Sequence, residues 1–169
     1  MLTNPFLDPT NWEIFDDSDG LGHQAFAMLQ HSAGHLYFGT AKGLCRYDGR
    51  RFESYSENFS LEGHVLGLCE DGAGKLWMGT TNGLVSFDGR TFETFNPDMN
   101  IRRFVVRKVI ANNDGSILCS SDVNGAFIFD GQEFTPFAAD AGVHGTFIRA
   151  MCKGRDGRIW VGSELGLAE

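Results

Sequence analysis

No run of 18 apolar residues occurs anywhere in the chain, so no membrane-spanning helix is expected. The first residues, MLTNPFLDPTNWEIF, lack a basic stretch followed by an apolar one, and a secretion signal is not expected either. The four cysteines, Cys45, Cys69, Cys119 and Cys152, form no C-x-x-C pair and have no histidine at zinc-ligand spacing. We therefore expect buried free thiols, with no metal and no cofactor. Cationic residues are outnumbered, 14 Lys and Arg against 22 Asp and Glu, and the net charge of −8 would repel a phosphate backbone. Nucleic acid is not expected as a partner on that ground. Neither G-x-S-x-G, H-E-x-x-H nor G-x-x-x-x-G-K-[ST] is present, so the sequence offers no catalytic constellation and the chain is not expected to be an enzyme. Proline is scarce, 4 residues, whereas 22 glycines in 169 residues imply many tight turns.

Those glycines are periodic. Four segments align on one another: GHLYFGTAKGLCRYDGRRF from Gly34, GKLWMGTTNGLVSFDGRTF from Gly74, GSILCSSDVNGAFIFDGQEF from Gly115 and GRIWVGSELGLAE from Gly157. The leading glycines stand 40, 41 and 42 residues apart (74 − 34, 115 − 74, 157 − 115). A period of about 40 to 45 residues is that of a four-stranded propeller blade. In one copy the strands read Val65 to Cys69, Leu76 to Thr80, Leu84 to Phe87 and Thr91 to Phe95, with turns at residues 70–74, at Asn82-Gly83 and at Asp88-Gly89. Asp-Gly recurs at Asp48-Gly49 and Asp130-Gly131 between the same two strands, where a two-residue hairpin needs a positive φ.

Aromatic spacing fixes how the units stack. Phe52 and Tyr55, Phe92 and Phe95, and Phe134 and Phe137 are each three residues apart on the fourth strand, which places each pair on opposite faces of its sheet. Both faces then require cover, as in a blade sandwiched between two neighbours. The sequence predicts an all-β fold, a β-propeller of four-stranded antiparallel blades with repeats near 25–55, 65–95, 106–137 and 148–169. Trp12-Glu13-Ile14-Phe15 has the form of a fourth strand, and the last repeat stops before its own. Residues 5–15 are therefore expected to complete the blade 148–169, one blade being split between the two ends of the chain. If four blades are too few to meet, two chains could exchange this strand in a homodimer closing a larger ring.

The segment Asp71 to Gly89 resembles the two-component regulator propeller repeat, D-x-x-G-x-hydrophobic-W-hydrophobic-G-T-x-x-G-L-x-x-aromatic-D-G, through Gly74, Trp77, Gly79, Thr80, Gly83, Leu84, Phe87, Asp88 and Gly89. Asp156, Gly157, Trp160, Gly162, Gly166 and Leu167 carry the pattern in the last copy. The copy from Gly34 has Tyr37 in place of tryptophan, and the copy from Gly115 departs furthest, with Leu118, Ser120, Ser121 and one extra residue. The resemblance implies the sensor region of a histidine kinase, hybrid regulator or cyclase, periplasmic, binding a small molecule that is often a carbohydrate.

Side chains that could bind gather where the chain enters each first strand. His23, His64 and His144 stand at three entries and Arg102 and Arg103 at the remaining one, while the loops between second and third strands add Lys42, Asn82, Asn124 and Glu164 on the same face. His23, His64, Arg103, His144, Lys42 and Asn82 are the expected ligand-binding set, suited to a hydroxylated or anionic molecule. Polar entry residues also cap local backbone groups, which is the structural alternative. Asp71, Asp114 and Asp156 are expected to stabilise turns. A protein-interaction scaffold, and more remotely a small propeller lyase or hydrolase, are the competing functions.

Overall fold

The computed structural model describes residues 12–22, 24–55, 63–96, 104–121, 125–137 and 147–169. Among these, helix is confined to one 3-10 turn at Asp17–Asp19, and fifteen strands form four antiparallel sheets. Blade 1 contains β1 (Ala25–Gln30), β2 (Leu36–Thr40), β3 (Gly43–Tyr47) and β4 (Phe52–Ser54). Blade 2 contains β5 (Val65–Glu70), β6 (Leu76–Thr80), β7 (Gly83–Phe87) and β8 (Phe92–Phe95). Blade 3 contains β9 (Val106–Ala111), β10 (Ile117–Ser121), β11 (Gly125–Phe129) and β12 (Phe134–Phe137), and blade 4 contains β13 (Ile148–Lys153), β14 (Ile159–Ser163) and β15 (Gly166–Ala168). Strands pair in chain order within each blade. The first strands β1, β5, β9 and β13 lie side by side from blade to blade.

Each letter of the repeat has a physical task. The aspartate of Asp-Gly caps its hairpin: Asp88 Oδ1 accepts from the backbone N–H of Arg90 at 2.8 Å and of Thr91 at 2.7 Å, while Gly89 takes the required φ of 93°. Asp48 and Asp130 do the same in blades 1 and 3. The buried threonine holds the preceding hairpin, because Thr80 Oγ1 donates to Gly83 O at 2.9 Å and accepts from Asn82 N at 3.0 Å. Thr40 repeats both bonds with Gly43 O and Lys42 N. Trp77 donates its indole N–H to Asp71 Oδ2 at 2.8 Å, tying the second strand to the turn before it.

The glycine of Gly-Thr sets the distance between blades. A Cβ on Gly39 would lie 2.7 Å from Val65 O, and one on Gly79 would lie 2.6 Å from Val106 O. In both cases the obstructing atom belongs to the first strand of the next blade, so only a residue without a side chain lets the two backbones come this close. Blade 3 carries Ser120 at this position. It is fully buried, and its hydroxyl oxygen accepts from Lys108 N at 3.2 Å.

Apolar clusters fill the spaces between blades. Tyr37 and Leu44 of blade 1 meet Val65, Leu76, Met78, Val85 and Phe87 of blade 2. Trp77 and Leu84 of blade 2 meet Val106, Ile117, Cys119, Phe127 and Phe129 of blade 3, and Leu118 and Ala126 meet Ile148 and Val161 of blade 4. The aromatic pairs of the fourth strands divide as their spacing requires: Phe92 packs on the cluster between blades 1 and 2, and Phe95 on that between blades 2 and 3.

Two expectations are corrected. Trp12–Phe15 does not join β15, and blade 4 has three strands among the described residues. Phe15 packs instead on Tyr47 and Phe52 at ring separations of 5.5 and 5.2 Å, as Tyr55 packs on Phe87 and Phe92 of the following blade. Residues 12–16 form no strand, and Phe15 lies on the face of blade 1 where the fourth strand of the preceding blade of a ring would pack. Residues 5–11 lie outside the described residues. Second, although all four thiols are free, Cys152 is exposed, whereas Cys69 at the same repeat position is covered by blade 3. Burial pushes the Cys45 thiol up to about 11 and those of Cys69 and Cys119 up to about 12. Asp71, Asp114 and Asp156 do stabilise turns, each Oδ1 accepting from the backbone N–H two residues on, at 2.9, 2.9 and 3.2 Å. Asp71 opens its four-residue turn, three positions before Gly74, whereas the other two immediately precede Gly115 and Gly157.

Candidate functional site

The two ends of the first strands define two faces of the arc of blades. On the entry face the described members of the expected set are His64, Lys42 and Asn82. His23, Arg102, Arg103, Asn124 and His144 lie outside the described residues. His64 is exposed, stacks on Phe26 of blade 1 at 5.7 Å, and its backbone exchanges two bonds with Thr81: its N donates to Thr81 Oγ1 and its O accepts from Thr81 N, both at 3.1 Å. Asn82 belongs to the same hairpin loop, so these two residues are brought together. Lys42, one blade away, directs Nζ to Asp17 at 3.9 Å. The entry segments do pack on the loops between second and third strands, since Gly22 abuts Thr40 and Lys42 while Gly63 abuts Thr81 and Asn82.

The opposite face, built from the turns between first and second strands, holds a groove of about 1040 Å³ whose lining includes Ser32, Glu70, Asp71, Asn113, Asp114 and Lys153. It draws residues from all four blades. Its walls are cross-blade ties. The Glu70 carboxylate accepts from Ser32 N at 2.9 Å and from the Ser32 hydroxyl, linking blades 1 and 2. Lys153 donates to Ala111 O at 3.2 Å and to Asn113 Oδ1 at 2.7 Å, linking blades 3 and 4. Asp71 is pushed up by partial burial, but hydrogen bonds from Trp77 and from the Lys75 and Ala73 backbone outweigh this and hold its pKa below the usual value. Hydrogen bonds from the Ser116 side chain and backbone lower that of Asp114. The groove therefore presents ionised carboxylates, amides and one ammonium, a surface that can accept and donate hydrogen bonds to a hydroxyl-rich molecule.

One cluster at the rim has the residue types of a hydrolytic site. Ser32 donates to Glu70, and His31 Nε2 stands 3.5 Å from the same carboxylate. The histidine is otherwise engaged. Its Nδ1 accepts from Ala33 N at 3.0 Å and its Nε2 lies 3.0 Å from Gly74 O, which fixes the proton on Nε2 and leaves neither nitrogen to take a proton from Ser32. No group of three His, Cys, Asp or Glu able to hold a metal occurs among the described residues.

The sequence set did not include the groove residues. Only Asp71 and Asp114 had been singled out, as turn formers. Glu70, Ala111 and Lys153 are the final residues of β5, β9 and β13, a signal available in the alignment once the strand ends are placed.

Comparison with known proteins separates the repeat from the arc. The family model for the two-component regulator propeller matches residues 61–82 and 142–164. Those two segments are similar to the two-component regulator propeller repeat. No curated protein sequence matches the chain. Among solved structures, the extracellular domain of a hybrid two-component system of B. thetaiotaomicron superposes with a TM-score of 0.68 at 21% identity, over 83% of this chain and 20% of that one. Virginiamycin B lyase from Staphylococcus aureus superposes with a TM-score of 0.65 at 14% identity, over 87% of this chain and 55% of that one. PorZ, a bacterial surface component of the type-IX secretion system of Porphyromonas gingivalis, gives 0.66 at 12% identity, over 95% and 28%. The chain spans about a fifth of the length of the two-component sensor domain it matches. At these identities the likeness concerns the fold, a β-propeller.

Proposed function

We propose that this chain is a ligand-sensing propeller module of a two-component signalling receptor, working outside the cytoplasm, and that the groove on the turn face seats a hydroxylated small molecule such as a carbohydrate. The observation that carries the reading is the position of the groove: its lining comes from the turns between first and second strands in blades 1, 2 and 3 and from Lys153 at the end of the first strand of blade 4, and its polar groups tie blade 1 to blade 2 and blade 3 to blade 4. Lys153, Asn113 and Asp114 would donate to and accept from ligand hydroxyls, while Glu70 and Asp71 would supply acceptors. The two-component systems of B. thetaiotaomicron, whose extracellular domains share the fold, support both the signalling role and the compartment.

The opposite mouth is a second seat, favoured by the exposed His64 ring stacked on Phe26 beside Asn82. There His23, His64, Arg103, His144, Lys42 and Asn82 would receive the ligand. A propeller lyase is the competing activity because virginiamycin B lyase shares the fold, but the engaged ring nitrogens of His31 argue against catalysis at the groove. Calorimetric titration with a panel of neutral and acidic oligosaccharides tests the reading. Binding that is lost in Lys153→Ala and Asn113→Ala and kept in His64→Ala and Asn82→Ala assigns the turn face; the reverse pattern assigns the entry mouth. Absence of binding across the panel favours an interaction scaffold.

A further inference from the structure

Each first strand carries a β-bulge at the same repeat position. Val65 opposes Thr80 and Gly67 opposes Gly79, so Leu66 is an extra residue without a counterpart on β6. The same shift makes Phe26, Arg107 and Arg149 the extra residues of β1, β9 and β13. The residues on either side are committed to the joints between blades. Val65, Val106 and Ile148 pack on the preceding blade, whereas Gly67 approaches the next one, where an added Cβ would lie 2.6 Å from Arg107 O. The extra residue serves neither joint, and Phe26 and Leu66 belong to none of the three apolar clusters between the described blades. A bulge re-aims a side chain. Because the first strand is the inner edge of its sheet, the four bulged positions line the concave side of the arc near the entry face.

The bulged residues divide by chemistry. Blades 1 and 2 supply Phe26 and Leu66, and blades 3 and 4 supply Arg107 and Arg149. Phe26 shows where such a side chain goes, since it reaches the entry of the next blade and stacks there on His64. Phe147 holds the same entry position in blade 4: its N donates to Glu164 as the N of His64 donates to Thr81. One such step from Arg107 leads to Phe147, and the guanidinium of Arg149 already stands over that ring, 5.9 Å from its centroid. Arg107 is exposed although blades stand on both sides of it. Further blades in a longer polypeptide would leave these two neighbours side by side. Lys108 adds a third cation, half-buried, where blades 1 and 2 have Ala27 and Gly67. Three cations thus adjoin one another in a chain of net charge −8, and the carboxylate of this entry, Glu164, is tied to Phe147 N.

Independently of the groove on the turn face, we propose that Arg107 and Arg149 form an oxyanion subsite at the entry mouth, which takes the carboxylate or phosphate group of a small molecule. A guanidinium presents a planar fork of N–H donors that matches both groups, and two forks on adjacent strands select an oxyanion over a neutral hydroxyl. The Phe147 ring restrains the head of Arg149 before a ligand arrives, and Lys108 strengthens the local positive potential. Phe147 is itself 44% exposed and offers the body of the ligand an apolar face. The set expected from the sequence contains neither arginine, because the bulge that turns them inward leaves no mark in the strand pattern.

Calorimetric titration of the 169-residue chain with galacturonate, galactose 1-phosphate and galactose tests the proposal. An anion should bind at least about tenfold more tightly than galactose, and the better of the two anions identifies the oxyanion as carboxylate or phosphate. Arg107→Gln and Arg149→Gln should each weaken the anion by at least about fivefold with circular dichroism unchanged. Arg107→Lys and Arg149→Lys, which keep the charge and lose the fork, should recover part of that loss. Raising the salt from about 50 to 500 mM should weaken the anion and leave galactose unaffected. Three results overturn the subsite: no anion binding at millimolar concentration, galactose bound as tightly as the anions, or anion binding that survives Arg107→Gln and Arg149→Gln combined. Anion binding abolished by Lys153→Ala but kept in the double arginine variant would seat the anion in the turn-face groove, which overturns this subsite and leaves the function proposed above standing.

Discussion

Gly79→Ala tests the claim that glycine sets the blade spacing. The new methyl would stand 2.6 Å from Val106 O, 2.9 Å from Val106 Cγ1 and 3.1 Å from Val106 C. Two of those three atoms are backbone, so no rotamer change relieves the contact. Restoring an ordinary carbon–oxygen distance requires β6 and β9 to part by about 0.5–1 Å, and a gap of that size already forfeits a quarter to a half of each dispersion contact across it. The affected surface is the cluster of Trp77, Leu84, Val106 and Phe129, all buried. Overpacking of this kind costs about 1–3 kcal/mol. Gly72→Ala is the control, in the same blade, where an added Cβ meets nothing within 4 Å. There the loss of glycine freedom in the unfolded chain should be neutral or stabilise by up to about 1 kcal/mol. Urea unfolding at one fixed protein concentration, followed by tryptophan fluorescence, should separate the two variants by roughly 1–4 kcal/mol. Equal midpoints would refute the idea that close backbone approach, rather than turn geometry, is why this repeat position is glycine.

Two further outcomes follow from the turns. Trp77→Phe keeps the ring in its cluster but removes the indole N–H from Asp71 Oδ2, and should cost about 1–3 kcal/mol in the same unfolding assay. Asp88 is held at about 2 by hydrogen bonds from Thr91 and Arg90, below its ordinary 3.8; because the folded value is depressed, this contribution is fully present above pH 3.8 and is lost as pH falls toward 2. An acid-unfolding series should therefore show a shallower dependence over that window in Asp88→Asn than in the parent chain.

The blade itself was legible because its parts are local. Alternating strands, the Asp88-Gly89 hairpin and the three-residue spacing of Phe92 and Phe95 each follow from backbone geometry within a dozen residues, and the structure places all of them as that geometry requires. What escaped is decided between blades. The pattern of Trp12–Phe15 is that of a fourth strand, yet residues 12–16 form none, and the pattern does not say which blade receives them, since Tyr47 and Phe52 accept Phe15 by the same rings that make any blade a neighbour. Cys152 and Cys69 are equivalent in sequence, and only the presence of blade 3 buries the latter. The groove was missed for a similar reason: Glu70, Asn113 and Lys153 belong to three repeats and have no common motif, so only their convergence around the first strands marks them.

The ties that line the groove have a mechanical meaning. Glu70 to Ser32 and Lys153 to Asn113 are latches that join neighbouring blades on that face. A molecule that captured Glu70 or Lys153 would have to open a latch to do so, and the arc would relax to a different curvature. Occupancy and curvature would then be two readings of the same hydrogen bonds. Occupation of the groove would be felt first as loosened joints between blades 1 and 2 and between blades 3 and 4.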